Sequence, residues 1–287
     1  MAVSTRTAGD VQYATARVPV LMYHSIGTTR SRRFRRFAVD PAEFAAQMDY
    51  LASQGYQAVT AADLARRQAS GRELPPRPVT LTFDDAYEDF YTVALPVLRR
   101  HGFPATLFVP TAYVGTITEF NASGGEADRR IMSWPALRDV VTEGVEVGSH
   151  SHTHPQLDLV PEDIVRGEVT RSRRLLEDQL GLPIEGFSYP FGYWSKGARA
   201  AVAAMDYRYG VAVADLMTAP GDDMLALPRL TVRAGIGVAG LARLLDARPT
   251  LRRRATALSR QAVSRAVRRV VPDVMAVHDA QQGPPSG

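Results

Sequence analysis

Two short runs in this chain have the residue types and spacing of a hydrolytic metal site. Thr82-Phe83-Asp84-Asp85 closes one apolar stretch, and His150-Ser151-His152-Thr153-His154 closes another. His150 and His154, four residues apart, can turn both imidazoles to one side of a single turn, and Pro155 disfavours helix at His154 and ends that turn. Two imidazoles and one carboxylate make three ligands. A divalent cation on three protein ligands keeps one coordination position open, which separates a catalytic site from a structural one. The second aspartate is then available to take a proton. Taken alone, an Asp-Asp pair after a strand is more often a solvated turn or a helix cap, and a histidine cluster also suits a polar loop. The two runs in one chain point to metal-assisted hydrolysis. With 0 cysteines there are no disulfides and no thiolate ligands, so a metal must sit on His, Asp or Glu.

The 287 residues suffice for one large α/β core, and 45% hydrophobic with 22% charged content is globular rather than disordered. No run approaches a membrane span, and Met1 to Val11 lacks the apolar stretch of a secretory signal, so a cytoplasmic or membrane-peripheral location is favoured. The net charge of +4 is unevenly placed: residues 247–271 hold eight arginines and no acid, leaving 26 basic against 30 acidic residues elsewhere. Leu251, Ala255, Leu258, Ala262, Ala266 and Val270 recur at helical spacing there, which predicts a basic amphipathic helix. Packing on its own domain, a protein contact or an anionic membrane surface are its expected uses; nucleic acid is disfavoured.

Short apolar strands alternate with helical segments, the pattern of a parallel sheet. Strands are expected at Val18–Met22, Gln57–Val59, Val79–Phe83, Ala105–Val109, Val145–Val147, Phe187–Tyr189, Tyr209–Ala214 and Arg229–Val232. Asp40, Pro41 and Glu43 predict a capped helix start with a capping-box variant, Ser133 a second cap, and Pro161 to Leu180 a long helix stopped by Gly181. The polar, glycine-containing segment from Gly115 to Met132 suits a loop over a site. His24, Asp84, Asp85, His150 and the Ser188-Tyr189-Pro190-Phe191-Gly192 turn all follow an expected strand, the end of a parallel sheet at which sites form. Arg30, Arg32, Arg33, Arg35 and Arg36 crowd the loop after His24, either as a solvated loop or as a rim for an anionic group.

The two aspartate and histidine runs, in their order and separation, resemble the first motifs of the polysaccharide deacetylase (NodB homology) family, which includes chitin, chitooligosaccharide and peptidoglycan N-acetylglucosamine deacetylases. The likeness extends over Val18 to Val232, and Val20-Leu21-Met22-Tyr23-His24 with the Ser188 to Gly192 turn resembles the subgroup acting on exopolysaccharide. The resemblance implies a distorted (β/α)7-type barrel over residues 18–246, between an N-terminal segment 1–17 and the basic helix and tail of 247–287. It implies Asp85, His150 and His154 as metal ligands, zinc foremost with Co2+, Ni2+ or Fe2+ as alternatives, and Asp84 as general base. It places the Phe191 N–H at the oxyanion; Tyr189 in the same turn is a candidate substrate contact, and Tyr193 and Trp194 just after it are placed to stack on a sugar ring or to pack in the core. The implied activity is removal of N-acetyl groups from N-acetylhexosamine units of a glycan or glycoconjugate. The alternatives are an amidase of a small glycosylated metabolite or cyclic amide, and a glycan-binding barrel that has lost turnover. Three positions depart from the family pattern: Ala86 replaces a glycine, Ser188 an arginine that braces the catalytic aspartate, and the late histidine is missing, with only a faint likeness at Met275 to Asp279. His24 is the preferred general acid, with a structural hydrogen bond as its other reading.

Overall fold

The computed structural model describes residues 17–118, 120 and 128–247. In chain order the strands are β1 (Val20–Tyr23), β2 (Ser25–Ile26), β3 (Ala38–Val39), β4 (Gln57–Ala58), β5 (Pro78–Phe83), β6 (Thr106–Val109), β7 (Glu146–Ser149), β8 (Gly186–Ser188), β9 (Tyr209–Val213) and β10 (Leu227–Thr231). The α-helices are α1 (Pro41–Ser53), α2 (Ala61–Ser70), α3 (Leu95–His101), α4 (Trp134–Thr142), α5 (Glu162–Leu180), α6 (Lys196–Ala204) and α7 (Gly237–Asp246). Strands β1, β5, β6, β7, β8, β9 and β10 pair in that order, all parallel, and β10 returns to β1 to close a seven-stranded barrel. The barrel is the expected fold. Its irregularity lies at β5, where β4 pairs the first two residues, Pro78 and Val79, and β1 the last four. Strands β1, β6 and β10 are buried along their whole length, and β1 and β6 accordingly read as near-continuous apolar runs.

One end of the barrel is plugged. Ala61, Ala62 and Ala65 in the first turns of α2 pack with Phe108, Tyr209, Val211 and Leu227. The Ala61 N–H donates to Thr106 Oγ1 (2.9 Å) and the Ala62 N–H to the Glu146 carboxylate (2.9 Å), so residues that open β6 and β7 satisfy the first donors of the helix. Space for the interior rings comes from two glycines: a Cβ on Gly186 would lie 2.1 Å from the Tyr209 ring, and one on Gly148 2.6 Å from Phe108. With the strand N-termini closed in this way, the C-terminal end of the barrel is left for chemistry.

Local signals mostly hold. Asp40 accepts from the Ala42 and Glu43 amides, Ser133 from Ala136, and α5 stops at Gly181 in the left-handed conformation (φ 69°). The capping box at α1 does not form. Glu43 instead accepts from the Gly235 (2.9 Å) and Gly237 (2.7 Å) amides, tying α1 to the start of α7 because those orphan amides lie within reach and the Asp40 amide does not claim it. No helix of the described residues is long and apolar enough to cross a membrane. The expected basic helix, its membrane or protein contact, and the Met275 to Asp279 run lie outside the described residues, as does all but Arg17 of the segment 1–17.

Candidate metal centre and active site

His24 follows β1, Asp84 and Asp85 follow β5, His150 follows β7, and Tyr189 opens the turn after β8, so all stand at the same barrel end. The backbone there is unusual. Asp85 (φ 72°), Ala86 (53°), Ser151 (63°), His154 (58°) and Phe191 (60°) are all left-handed. Each costs on the order of 1 kcal/mol, and such conformations persist only where surrounding structure imposes them. Ala86 therefore adopts the conformation that the family's glycine takes without strain.

Asp85, His150 and His154 bring their ligand atoms together, all within 4.8 Å of one another and all buried. Asp85 Oδ1 lies 3.5 Å from His150 Nε2 and 3.4 Å from His154 Nε2, and the two Nε2 atoms are 3.2 Å apart. Two of the three candidate ligands are oriented by a hydrogen bond, while His154 Nδ1 is buried without a partner. His150 Nδ1 is 2.8 Å from the Ser188 carbonyl, which fixes the proton on Nδ1 and leaves the Nε2 lone pair facing inward. Tyr87 donates to Asp85 Oδ2 (2.9 Å), leaving Oδ1 buried without a hydrogen-bond partner. Burial lowers the pKa of both imidazoles, that of His154 furthest, while burial and then the Asp84 charge push Asp85 up to about 7. Lone pairs of two neutral imidazoles and an orphaned carboxylate oxygen converge on one point. That donor set fits a divalent cation.

Asp84 is held differently. Arg229, mid-strand in β10 and fully buried, grips it with two parallel bonds, Nη1 to Oδ1 (2.7 Å) and Nη2 to Oδ2 (2.7 Å). The same guanidinium donates to Thr82 Oγ1 (3.2 Å) and Ser188 Oγ (3.0 Å). Burial by itself would raise the Asp84 pKa. The Arg229 charge and then the His150 interaction outweigh it and hold the carboxyl well below the usual range. The apparent loss of the bracing arginine at Ser188 is thus corrected: the brace comes from another strand, and Ser188 is one of its partners. The available signal was an arginine inside the apolar run Leu227-Pro228-Arg229-Leu230-Thr231, since a charge is buried there only if paired.

The remaining candidates separate. His24 packs on Phe37 (4.7 Å between ring centroids), and Asp84, Arg229 and His150 act on its charge, so it faces the same site. Its Nδ1 is buried with no hydrogen-bond partner, which removes the structural hydrogen bond from that nitrogen. Burial lowers its pKa to about 4 against an opposing pull from Asp84. Phe191 is 41% exposed and its ring lies 4.9 Å from that of His154; Phe120 lies 4.4 Å from the same imidazole, while residues 119 and 121–127 of the expected loop over the site lie outside the described residues. Tyr189 is fully buried and donates its hydroxyl to the Leu225 carbonyl, so its side chain supports the turn and leaves no surface for substrate. Trp194 is half-buried, packed against the core and 6.5 Å from the Tyr189 ring. Arg30, Arg32, Arg33 and Arg35 are exposed beside the Phe37 turn.

A closed parallel α/β barrel with an Asp-His-His cluster and a braced second aspartate at its C-terminal end defines a hydrolase class. Residues 71–210 match the family model described as polysaccharide deacetylase. The chain carries a domain of that family over those residues, 140 of its 287. It is 27% identical over 221 residues to the Bacillus subtilis (strain 168) protein YxkH, whose name carries the same family, covering 77% of this chain and 73% of that one. A Staphylococcus aureus poly-beta-1,6-N-acetyl-D-glucosamine N-deacetylase is 21% identical over 211 residues, 70% of each chain. Among solved structures, the Streptococcus pyogenes deacetylase PplD superposes with a TM-score of 0.71 at 23% identity over 81% of this chain and 100% of that one. IcaB from Ammonifex degensii gives 0.68 at 25% identity over 80% and 97%.

Proposed function

We propose that this protein removes N-acetyl groups from N-acetylhexosamine units of a polysaccharide or glycoconjugate, with a divalent cation, zinc foremost, on Asp85, His150 and His154. The observation that carries the reading is the division of labour between two adjacent carboxylates: Asp85 offers an unpartnered oxygen to the imidazole pair, while Asp84 is held in the Arg229 fork with Oδ2 3.9 Å from His150 Nε2. A cation held there supplies Lewis acidity, polarising an amide carbonyl and acidifying water. Asp84 stays ionised through the neutral range and, because the single Ser188 hydroxyl proton can occupy only one of its two oxygens at a time (3.3 and 3.4 Å), keeps a lone pair with which to accept the proton of the attacking water. Arg229 holds that carboxylate in one orientation. His24, at the end of β1 beside β5, is neutral at working pH because burial lowers its pKa to about 4, so it serves the departing amine by relaying the proton taken from the water, and the Phe191 turn, whose ring lies 4.9 Å from that of His154, is the candidate source of an N–H for the oxyanion. Phe120 and Phe191 flank His154 with apolar surface that keeps bulk water from it.

Acetate release from N-acetylglucosamine oligomers, with and without chelator, tests the reading. Asp84→Asn should retain metal and lose on the order of 10²- to 10⁴-fold in turnover. Asp85→Ala should lose metal affinity, with excess metal partly restoring what activity remains. Release that ignores both the chelator and Asp84→Asn refutes the mechanism. A substrate panel with short glycosides and cyclic amides separates the glycan reading from that of a small amide. The idea of a barrel without turnover rested on the missing brace at Ser188 and on the missing late histidine; Arg229 supplies the brace, and the Met275 to Asp279 run lies outside the described residues, so turnover abolished by Asp84→Asn with metal retained is what rejects it.

A further inference from the structure

Behind the histidine loop, on the face away from the converging imidazoles, stands a buried carboxylate that the chemistry above does not use. Glu168, in the middle of α5 and 9% exposed, accepts from the His152 amide (2.8 Å) and the Thr153 amide (2.7 Å) with Oε2, and from the Thr153 hydroxyl (2.6 Å) with Oε1. One turn further along the same helix face, Ser172 meets Ser149 at 2.7 Å, hydroxyl to hydroxyl, at the end of β7. Helix α5 is therefore fastened to the ligand-bearing segment at two levels, once at the strand and once at the loop.

We propose that Glu168 is a positioning residue for the metal centre, fixing the loop so that His150 and His154 converge; the proposal rests on the metal reading of that centre. The loop's own hydrogen bonding shows why a clamp is needed. Its carbonyls are taken from one side, Ser151 O by the Thr111 amide (3.2 Å) and His152 O by the Ala112 amide (2.9 Å). The amides of His152 and Thr153 have only Glu168. Two left-handed residues, Ser151 and His154, bracket those amides, so without the carboxylate the amides of half-buried His152 and exposed Thr153 lose their protein acceptor in a segment already strained. Relaxation of either φ would swing His154 away from His150 and Asp85. Reach matters more than charge here: the two amides converge on a single oxygen, which a glutamine can supply, whereas an aspartate is one methylene short.

Zinc affinity, read by competition with a chromophoric chelator on the full chain, tests this together with amide exchange in the metal-free protein. Glu168→Ala and Glu168→Asp should weaken zinc binding by about 10- to 100-fold, the range for groups that orient metal ligands. Glu168→Gln should stay within about threefold of the parent by the same scale. The His152 and Thr153 amides should exchange faster in the alanine and aspartate variants only. Glu177→Gln is the control: Glu177 lies on the same helix and bonds Arg173 and the Ile184 amide without touching the loop, so it reports helix destabilisation alone. Unchanged zinc affinity in Glu168→Asp, or an equal loss in Glu177→Gln, overturns the proposal. If the alanine variant fails to fold, the aspartate and glutamine pair carries the decision. Parent protein that takes up no zinc overturns the metal reading and this one together, whereas zinc binding indifferent to residue 168 overturns this one alone.

Discussion

Replacing Arg229 with methionine is the perturbation with the most to say about this site. The parent pair is nearly dry, with side-chain exposures of 0% for Arg229 and 4% for Asp84, and both carboxylate oxygens are bonded at 2.7 Å. Removing one partner of a buried, hydrogen-bonded ion pair costs about 3–5 kcal/mol, because the other charge is left without compensation. Here the survivor is a carboxylate whose burial then acts unopposed, so its pKa moves up from well below the usual range. The sign of the pH dependence follows. A depressed folded-state pKa contributes stability that is fully present above the unfolded value of about 3.9 and lost as pH falls through the folded value. The stability gap between parent and variant is therefore widest at neutral pH and narrows in strong acid. Denaturant unfolding at pH 7 and in strong acid measures it, and acetate release as a function of pH should show an acid limb displaced upward in the variant. Arg229→Lys, which keeps a charge but not the fork, should fold better and still lose turnover. Combining Asp84→Asn with Arg229→Met should recover part of the stability, giving a coupling of a few kcal/mol of the kind expected for residues in one network, on the order of 0.5–3 kcal/mol or more. A methionine variant that loses under about 1 kcal/mol and keeps its acid limb would show that the pair is not what orients and ionises Asp84.

Metal uptake should depend on pH through Asp85. Its carboxyl is pushed up to about 7, so below that pH a proton competes with the cation, and zinc affinity should fall about tenfold per pH unit; calorimetry in buffers of different ionisation enthalpy should find close to one proton released per zinc at pH 6. Gly186→Ala should destabilise the barrel without touching the metal site, since its Cβ would lie 2.1 Å from the Tyr209 ring in the closed interior; a loss of about 1–3 kcal/mol in denaturant unfolding with unchanged zinc affinity is expected.

The strands, the helix caps and the two chemically loaded runs were legible in the sequence because their information is local. A strand buried on both faces is a run of apolar residues, a cap is one side chain two or three positions from an amide, and ligands four residues apart need only one turn to meet. The capping-box reading of Glu43 shows the limit of that locality. The motif was present, but two amides almost two hundred residues away competed for the carboxylate and won.

What only the tertiary structure decided are the groups that act from across the barrel. Arg229 reaches Asp84 over a separation of 145 residues, and whether a mid-strand arginine points inward, and at which level, depends on the register of a closed ring rather than on its neighbours in the chain. The same holds for Ser188, which by sequence alone stood for a missing charge and in the barrel completes the arginine's hydrogen bonds. Glu168 and the α2 plug at Glu146 belong to this group as well. The physical reason is shared: a buried charge or an orphan amide is satisfied by whichever partner the packing brings within about 3 Å, and that distance is set by closure of the fold. The residue types that could do chemistry were fixed in the chain; their orientation was set when the ring closed.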